Sequence, residues 1–131
     1  LLGDRMGESV VLVMVEKAGQ PVAGALNLKG GDTLFGRNWG CNADFKFLHF
    51  ETCYYQAIDY AIANGLTWVE AGAQGPHKVQ RGYLPRPTYS AHWIADQGLR
   101  SAIERFLGDE RRDIEHEMQF LAARSPFKKM D

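Results

Sequence analysis

Asp32-Thr-Leu-Phe-Gly-Arg-Asn-Trp39, followed by Phe47-Leu-His-Phe-Glu-Thr-Cys-Tyr-Tyr-Gln-Ala-Ile-Asp-Tyr-Ala-Ile-Ala-Asn-Gly65 and then Leu66-Thr-Trp-Val-Glu-Ala71, is the stretch that decides the fold. In its middle, Phe50, Tyr54, Ala57, Ile58, Ala61 and Ile62 recur at three- and four-residue spacing, the period of a helix that buries one face. Asn64-Gly65 supplies the C-terminal stop. The flanking runs are short and apolar, and two strands joined through a helix pair in parallel. The unit from Asp32 to Ala71 therefore reads as strand, helix, strand, with the Phe50 to Ile62 helix across one face of a sheet and Leu66 to Ala71 as its central strand.

Upstream, Val10-Val11-Leu12-Val13-Met14-Val15 is apolar on both alternating faces, which predicts a central strand over Ser9 to Lys17 covered on both sides. Ala18-Gly19 turns into a second strand over Gln20 to Lys29, where Pro21 is tolerated near the start. Gly30-Gly31 is a two-residue hairpin signal leading into the Asp32 strand, so the chain opens with an antiparallel meander. Downstream, Pro85 and Pro87 hold the backbone extended, and Thr88 to Ile94 predicts a further strand. On that strand Tyr89 and His92 point to opposite faces. From Gln97 to Arg124 the stripe Leu99, Ile103, Phe106, Ile114, Met118 and Leu121 predicts a C-terminal helix packing one face on the sheet, with Gly108-Asp109 as the place where it could break. The fold class is α/β in the broad sense, or α+β: a mixed sheet with an antiparallel meander, a central strand-helix-strand unit and a C-terminal helix.

The 131 residues suit a single domain from 1 to 131, with 45% hydrophobic and 24% charged residues, the balance of a folded chain. A formal net charge of −1 supplies no global basic field, which disfavours bulk nucleic-acid binding. Cys41 and Cys53 are too few for a disulfide framework or a four-cysteine metal site, which points to a reducing cytoplasm and no metal. No apolar run approaches the ~20 residues of a membrane helix, and the start lacks a signal peptide's apolar core. Because the chain opens without Met, it is expected to be a fragment of a longer protein.

The chemistry-bearing residues concentrate just past the Leu66 to Ala71 strand, where open sheets place their ligands. Gly72 and Gly75 permit close backbone approach, Gln74 and His77 lie between and beside them, and Lys78 and Arg81 can meet phosphate or carboxylate oxygens. The same loop also reads as a connector with solvated cations, and it matches no P-loop or dinucleotide fingerprint. His49 and Glu51, at the helix start, are candidate bases for deprotonating an attacking amine, although Glu51 equally suits a helix first turn. Glu70 interrupts an apolar strand, which implies either a cationic partner or a role on substrate. Phe47, Phe50, Tyr54 and Tyr55 read as core, and the charged run Asp109 to Asp113 as a solvated helical face.

The stretches Leu48 to Gly65, Val69 to Lys78 and Arg81-Gly-Tyr-Leu-Pro-Arg-Pro-Thr-Tyr-Ser-Ala-His-Trp93, with the closing Ser125-Pro-Phe-Lys-Lys129, resemble a bacterial family of N-acyltransferases described as peptidoglycan biosynthesis or recognition proteins. That family is related to Fem-type aminoacyl ligases, which carry two lobes of the GNAT acyltransferase type. The resemblance implies a C-terminal GNAT-like lobe that works with an N-terminal lobe of a parent chain, and so has little activity alone. It implies transfer of an acyl group from an acyl-CoA or related thioester to an acceptor amine, with aminoacyl-tRNA as the alternative donor and a silent precursor-binding lobe as the non-enzymatic alternative. Lys78 with Gly82 resembles the lysine-then-glycine stretch of Fem-type enzymes, where the lysine stabilises charge during transfer. The Arg/Gln-x-x-Gly-x-Gly/Ala pyrophosphate loop of ordinary GNAT enzymes is absent from the sequence. The roles implied are Lys78, Glu70, Glu51 and His49 in catalysis, and Gly72, Gln74, Gly75, His77 and Arg81 on the donor.

Overall fold

The computed structural model describes residues 2–72 and 75–127. They form two compact units, Leu1–Gln74 and Gly75–Asp131, each with its own internal packing. Together they contain a four-stranded mixed sheet and a long C-terminal helix, an α+β architecture.

The first unit begins with a short helix, α1 (Leu2–Met6), and continues into the meander of β1 (Val10–Lys17), β2 (Gln20–Gly30) and β3 (Thr33–Cys41). The strands pair antiparallel in chain order, Leu12 facing Leu26 and Leu28 facing Phe35. Positive φ at Ala18, Gly19 and Gly31 closes the two hairpins, as tight turns between twisted strands require. The chain then forms one helical segment in three parts: α2 (Leu48–Phe50), a π-helical turn (Glu51–Tyr55) and α3 (Gln56–Ala63). It ends at Asn64 and Gly65, where φ reaches 64°, and passes to β4 (Trp68–Glu70), which pairs in parallel with β3.

The helical segment lies on one face of the sheet, its π-turn against β1 and β2 and α3 against β3 and β4. Ala23 and Ala25 on the sheet and Ala57 and Ala61 on the helix are all buried, so small side chains let helix and sheet approach closely. Leu34 and Tyr54 fill the larger spaces, with Leu34 fully enclosed.

Two expectations about sheet order fail. The strand order is β1-β2-β3-β4, so β1 and β4 are edges, and β4 is only three residues long. The apolar run in β1 led to the opposite reading, yet Leu12 and Met14 lie more than half exposed on the face away from the helix. Phe47 and Ile62 also depart from the helical stripe, at 66% and 74% exposure. Phe47 adopts a left-handed backbone (φ 65°) at the mouth of α2, which turns it out of the core, and Tyr55 is exposed on the outer side of the π-turn.

In the second unit a 3-10 turn spans Pro76–Arg81 and α4 spans Gln97–Ala122. Asp96 caps α4 by accepting a hydrogen bond from the Leu99 amide at 2.7 Å, and Arg100 donates from Nε and Nη2 to the Ile94 carbonyl at 3.0 and 2.6 Å. The helix runs unbroken through Gly108, because the ~1 kcal/mol cost of one glycine is small against the helix formers around it. None of its side chains is buried. Thr88 to Ile94 forms no strand: the segment has no regular secondary structure, and Tyr89 and Trp93 are 92% and 83% exposed. Tyr89 and His92 therefore lie on no strand face, and His92 Nε2 instead meets Ser90 Oγ at 3.0 Å.

Candidate functional site

Two irregularities face each other in the first unit. Between β2 and β3 the register slips, so that Leu26 pairs with Asn38 and Asn27 with Gly36, leaving Arg37 as an extra residue on β3. Such a bulge bends a strand and re-aims the side chains beside it. Above it, the π-turn widens the helix over Glu51–Tyr55. Between the two lies a groove of about 120 Å³, lined among others by Asn27, Gly36, Trp39, His49, Cys53 and Tyr54. Arg37 and Asn38 also line it from exposed positions.

Asn27 is the polar residue of the floor, only 2% exposed. Its Nδ2 donates long hydrogen bonds to the carbonyls of Val11 at 3.4 Å and Ala25 at 3.5 Å. His49 is half-buried in an aromatic setting, edge-on to Trp39 at 5.3 Å and to Tyr54 at 5.4 Å between ring centroids. Stacking of this kind fixes the plane of the imidazole, which a proton acceptor at a defined position needs. Burial pushes the Cys53 thiol up to about 11, so it stays protonated near neutrality and is a poor nucleophile.

The other expected carboxylates stand elsewhere. Glu51 is exposed and accepts a hydrogen bond from Gln56 Nε2 at 2.8 Å. Glu70 is exposed too, since β4 is an edge strand, and the buried carboxylate expected there does not exist. Its backbone carbonyl, not its side chain, approaches Gly36.

In the second unit the 3-10 turn brings His77, Lys78 and Arg81 together, with Val79 buried beneath it. Arg81 Nη1 donates to the His77 carbonyl at 2.8 Å, which ties the guanidinium to the turn. Lys78 is half-buried, and desolvation lowers its pKa from the ordinary lysine value. A cavity of about 420 Å³ is lined by His77, Val79, Gln80, Leu121 and Arg124. Gly75 has φ of 109°, a conformation that favours glycine, and a Cβ there would collide with the His77 ring; Gly72, in the first unit, has φ of 79°. Gln74 lies outside the described residues.

His49 is thus the one expected catalytic residue lining the groove, while Asn27, Gly36 and Trp39 are residues that the sequence reading passed over. The signal for Asn27 was present: it is a lone amide inside Ala25-Leu26-Asn27-Leu28, and a polar group in such a run must find a partner or a use. Among the described residues, no three His, Cys, Asp or Glu side chains group to hold a metal ion, and no helix is long and apolar enough to cross a membrane.

No curated protein and no solved structure matches the chain significantly. A family model does match, over residues 1–129, that of the FemAB-like proteins of peptidoglycan biosynthesis or recognition. Since the match takes in both units and nearly every residue, the chain belongs to the FemAB-like family.

Proposed function

We propose that this chain is the GNAT-like C-terminal lobe of a two-lobed transferase, moving an acyl group from a CoA-type thioester to an amine held in the β2/β3 groove. The observation that carries this reading is the shared lining of that groove, where the buried Asn27 amide and the ring-packed His49 imidazole meet in one recess. At about 120 Å³ it suits a small polar head group and not a nucleotide-sized donor, whose sites run to several hundred Å³.

In the proposed reaction the neutral amine nitrogen attacks the thioester carbonyl and a C–N bond forms. Its proton passes to His49, directly or through water, and the tetrahedral intermediate collapses with cleavage of the C–S bond to release the thiolate. The protonated Cys53 favours direct transfer over an acyl-enzyme. By the chemistry of their groups, Lys78 is kept as a candidate for stabilising charge and Gly72, Gln74, Gly75, His77 and Arg81 for binding the charged part of a donor, and no step at the groove is routed through them. Glu51 and Glu70 become lesser candidates because both are solvent-exposed.

The family description favours an acceptor amine on a peptidoglycan precursor, and it supports aminoacyl-tRNA as donor equally well. The word recognition in that description also keeps in view a lobe that binds a precursor without reacting. The deciding experiment offers the full-length parent a panel of acyl-CoA thioesters and, separately, aminoacyl-tRNA, with a peptidoglycan precursor amine as acceptor. Amide product from a thioester supports the leading reading. Product from aminoacyl-tRNA alone replaces it with the ligase, and precursor binding without product from either donor replaces it with the silent lobe.

A further inference from the structure

The sheet ends in two edges of different character. β4 is three residues long and carries the exposed Glu70, a short and charged border that discourages pairing with another chain. β1 is eight residues long, and its run Val10-Val11-Leu12-Val13-Met14-Val15 holds no charge, no proline and no glycine. Its one register shift falls after Val15, and among the described residues it pairs only with β2. The outer row of N–H and C=O groups along this run is therefore a template for a further strand, without the devices that usually blunt an edge. The side chains around that row are apolar on both faces. Val11, Val13 and Val15 pair with Asn27, Ala25 and Ala23, the buried residues of the helix-covered face, while Leu12 and Met14 are 57% and 51% exposed on the other. A strand added here must be apolar on both faces as well, and β1 itself meets that condition.

We infer that two copies of this chain associate through β1, paired antiparallel about a two-fold axis at Val13, so that one sheet runs through both. An axis normal to the sheet keeps residues that stand opposite each other on a common face. Centring on Val13 sets Leu12 opposite Met14 of the second copy on the open face, twice by symmetry, and Val11 opposite Val15 of the second copy on the helix-covered face. At the ends Glu16 comes opposite Val10, and Lys17 comes opposite Ser9 and beside Glu8 of the second copy, so a cation meets an anion at each end of the seam. The neighbouring registers are worse. Centring on Leu12 sets Glu8 opposite Glu16, a like-charge pair, and centring on Met14 sets Leu12 opposite Glu16 and Val11 opposite Lys17. The formal net charge of −1 offers little repulsion between copies. Eight residues at ~3.4 Å make a seam roughly 27 Å long beneath side-chain layers about 10 Å deep. Even with flanking side chains, such a seam lies at or below the ~1,000 Å² expected of a stable interface, so the dimer is weak and concentration-dependent. The inference is independent of the transferase reading.

The test is sedimentation of the chain from about 10 µM to about 1 mM, the range in which a weak dimer forms, with circular dichroism confirming that each variant is folded. Leu12→Lys/Met14→Lys sets like charges directly opposite each other at two places in the seam, whereas Leu12→Lys/Met14→Glu sets opposite charges there. Both positions are more than half exposed, so neither pair of changes introduces a charge into the core. The expected result is a monomer–dimer equilibrium for the unaltered chain, an association at least about tenfold weaker in Leu12→Lys/Met14→Lys, and one within about fivefold of the unaltered chain in Leu12→Lys/Met14→Glu. Unspecific sticking of the open apolar face is lost equally in both variants, and that outcome overturns the inference. So does a chain that stays monomeric over the whole range, one that grows beyond the dimer, or a Leu12→Lys/Met14→Lys variant that dimerises as the unaltered chain does. If either variant fails to fold, amide hydrogen exchange of the unaltered chain decides alone: alternate β1 amides that slow with rising concentration support the pairing, and β1 amides indifferent to concentration overturn it.

Discussion

Replacing Thr52 with valine should stabilise the sheet-bearing unit. Thr52 sits in the π-turn at 0% exposure, and its Oγ1 is buried without a hydrogen-bond partner among the described residues. A buried polar group left unpaired costs about 1–3 kcal/mol relative to its hydrated state in the unfolded chain. Thr52→Val removes that cost while keeping a β-branched side chain of the same shape, so neither the rotamer nor the packing changes much. We expect a gain of ~1–2 kcal/mol, which for a chain of this size corresponds to a rise of roughly 3–8 °C in Tm. Thr52→Ser keeps the hydroxyl and deletes a buried methyl group, so it should lose about 1 kcal/mol. Urea denaturation followed by circular dichroism measures both, with the m-value showing whether the unfolding transition itself has changed. A Thr52→Val variant less stable by 1 kcal/mol or more would refute the reasoning, since it would mean that an ordered water or a shifted backbone carbonyl pairs the hydroxyl.

Other outcomes follow from the same geometry. At pH 8 a thiol of pKa about 11 is ~0.1% thiolate against roughly a quarter for a free cysteine, so after allowing for the greater nucleophilicity of the more basic thiolate, Cys53 should alkylate about twentyfold more slowly with iodoacetamide in the folded chain than in urea. The rate should rise about tenfold per pH unit until it levels off near that value, and mass spectrometry of the Cys53 peptide reads it. Gly82 has φ of 88° and the Phe127 ring occupies the place of a Cβ, so Gly82→Ala should cost ~2 kcal/mol or more in the second unit, measured by urea denaturation. Lys78→Ala should lower the single-turnover rate of the full-length parent by ~2–4 kcal/mol in barrier with folding intact, whereas Arg81→Ala should chiefly weaken donor affinity. If both variants keep parental rate and affinity, the 3-10 turn is only a connector.

What could be read from the sequence was what local patterning controls. The helix over Phe50 to Ile62 and the three-stranded meander follow from spacing and from turn residues, and both are present. Strand order is not local. The apolar run of β1 is compatible with a central strand or with an edge whose second face lies open, and Leu12 and Met14 take the second form. Thr88 to Ile94 carries strand-forming residues, but strand propensity reflects a fit to a half-buried pleated surface, and Tyr89 and Trp93 in this segment are exposed. The same limit applied to the site. His49 is a candidate by its chemistry and lines the groove, whereas Asn27 and Gly36 become a pair only through a register slip between β2 and β3, which pairs residues nine apart across a hairpin and leaves no mark at either position. Glu70 misled for the related reason that an edge strand exposes a side chain that a central strand would bury.

The central claim is that His49 accepts the proton of the attacking amine in the groove of Asn27 and Gly36. Its most direct test is the single-turnover rate of amide formation by the full-length parent carrying His49→Gln, at saturating thioester and primary amine, with the affinity for each measured separately. Glutamine keeps a polar side chain at the aromatic edge but cannot take up the proton. The account predicts a rate lower by about 10²–10⁴ with both affinities within a few-fold of the parent. A rate within twofold of the parent would contradict it and move the proton acceptor away from the groove.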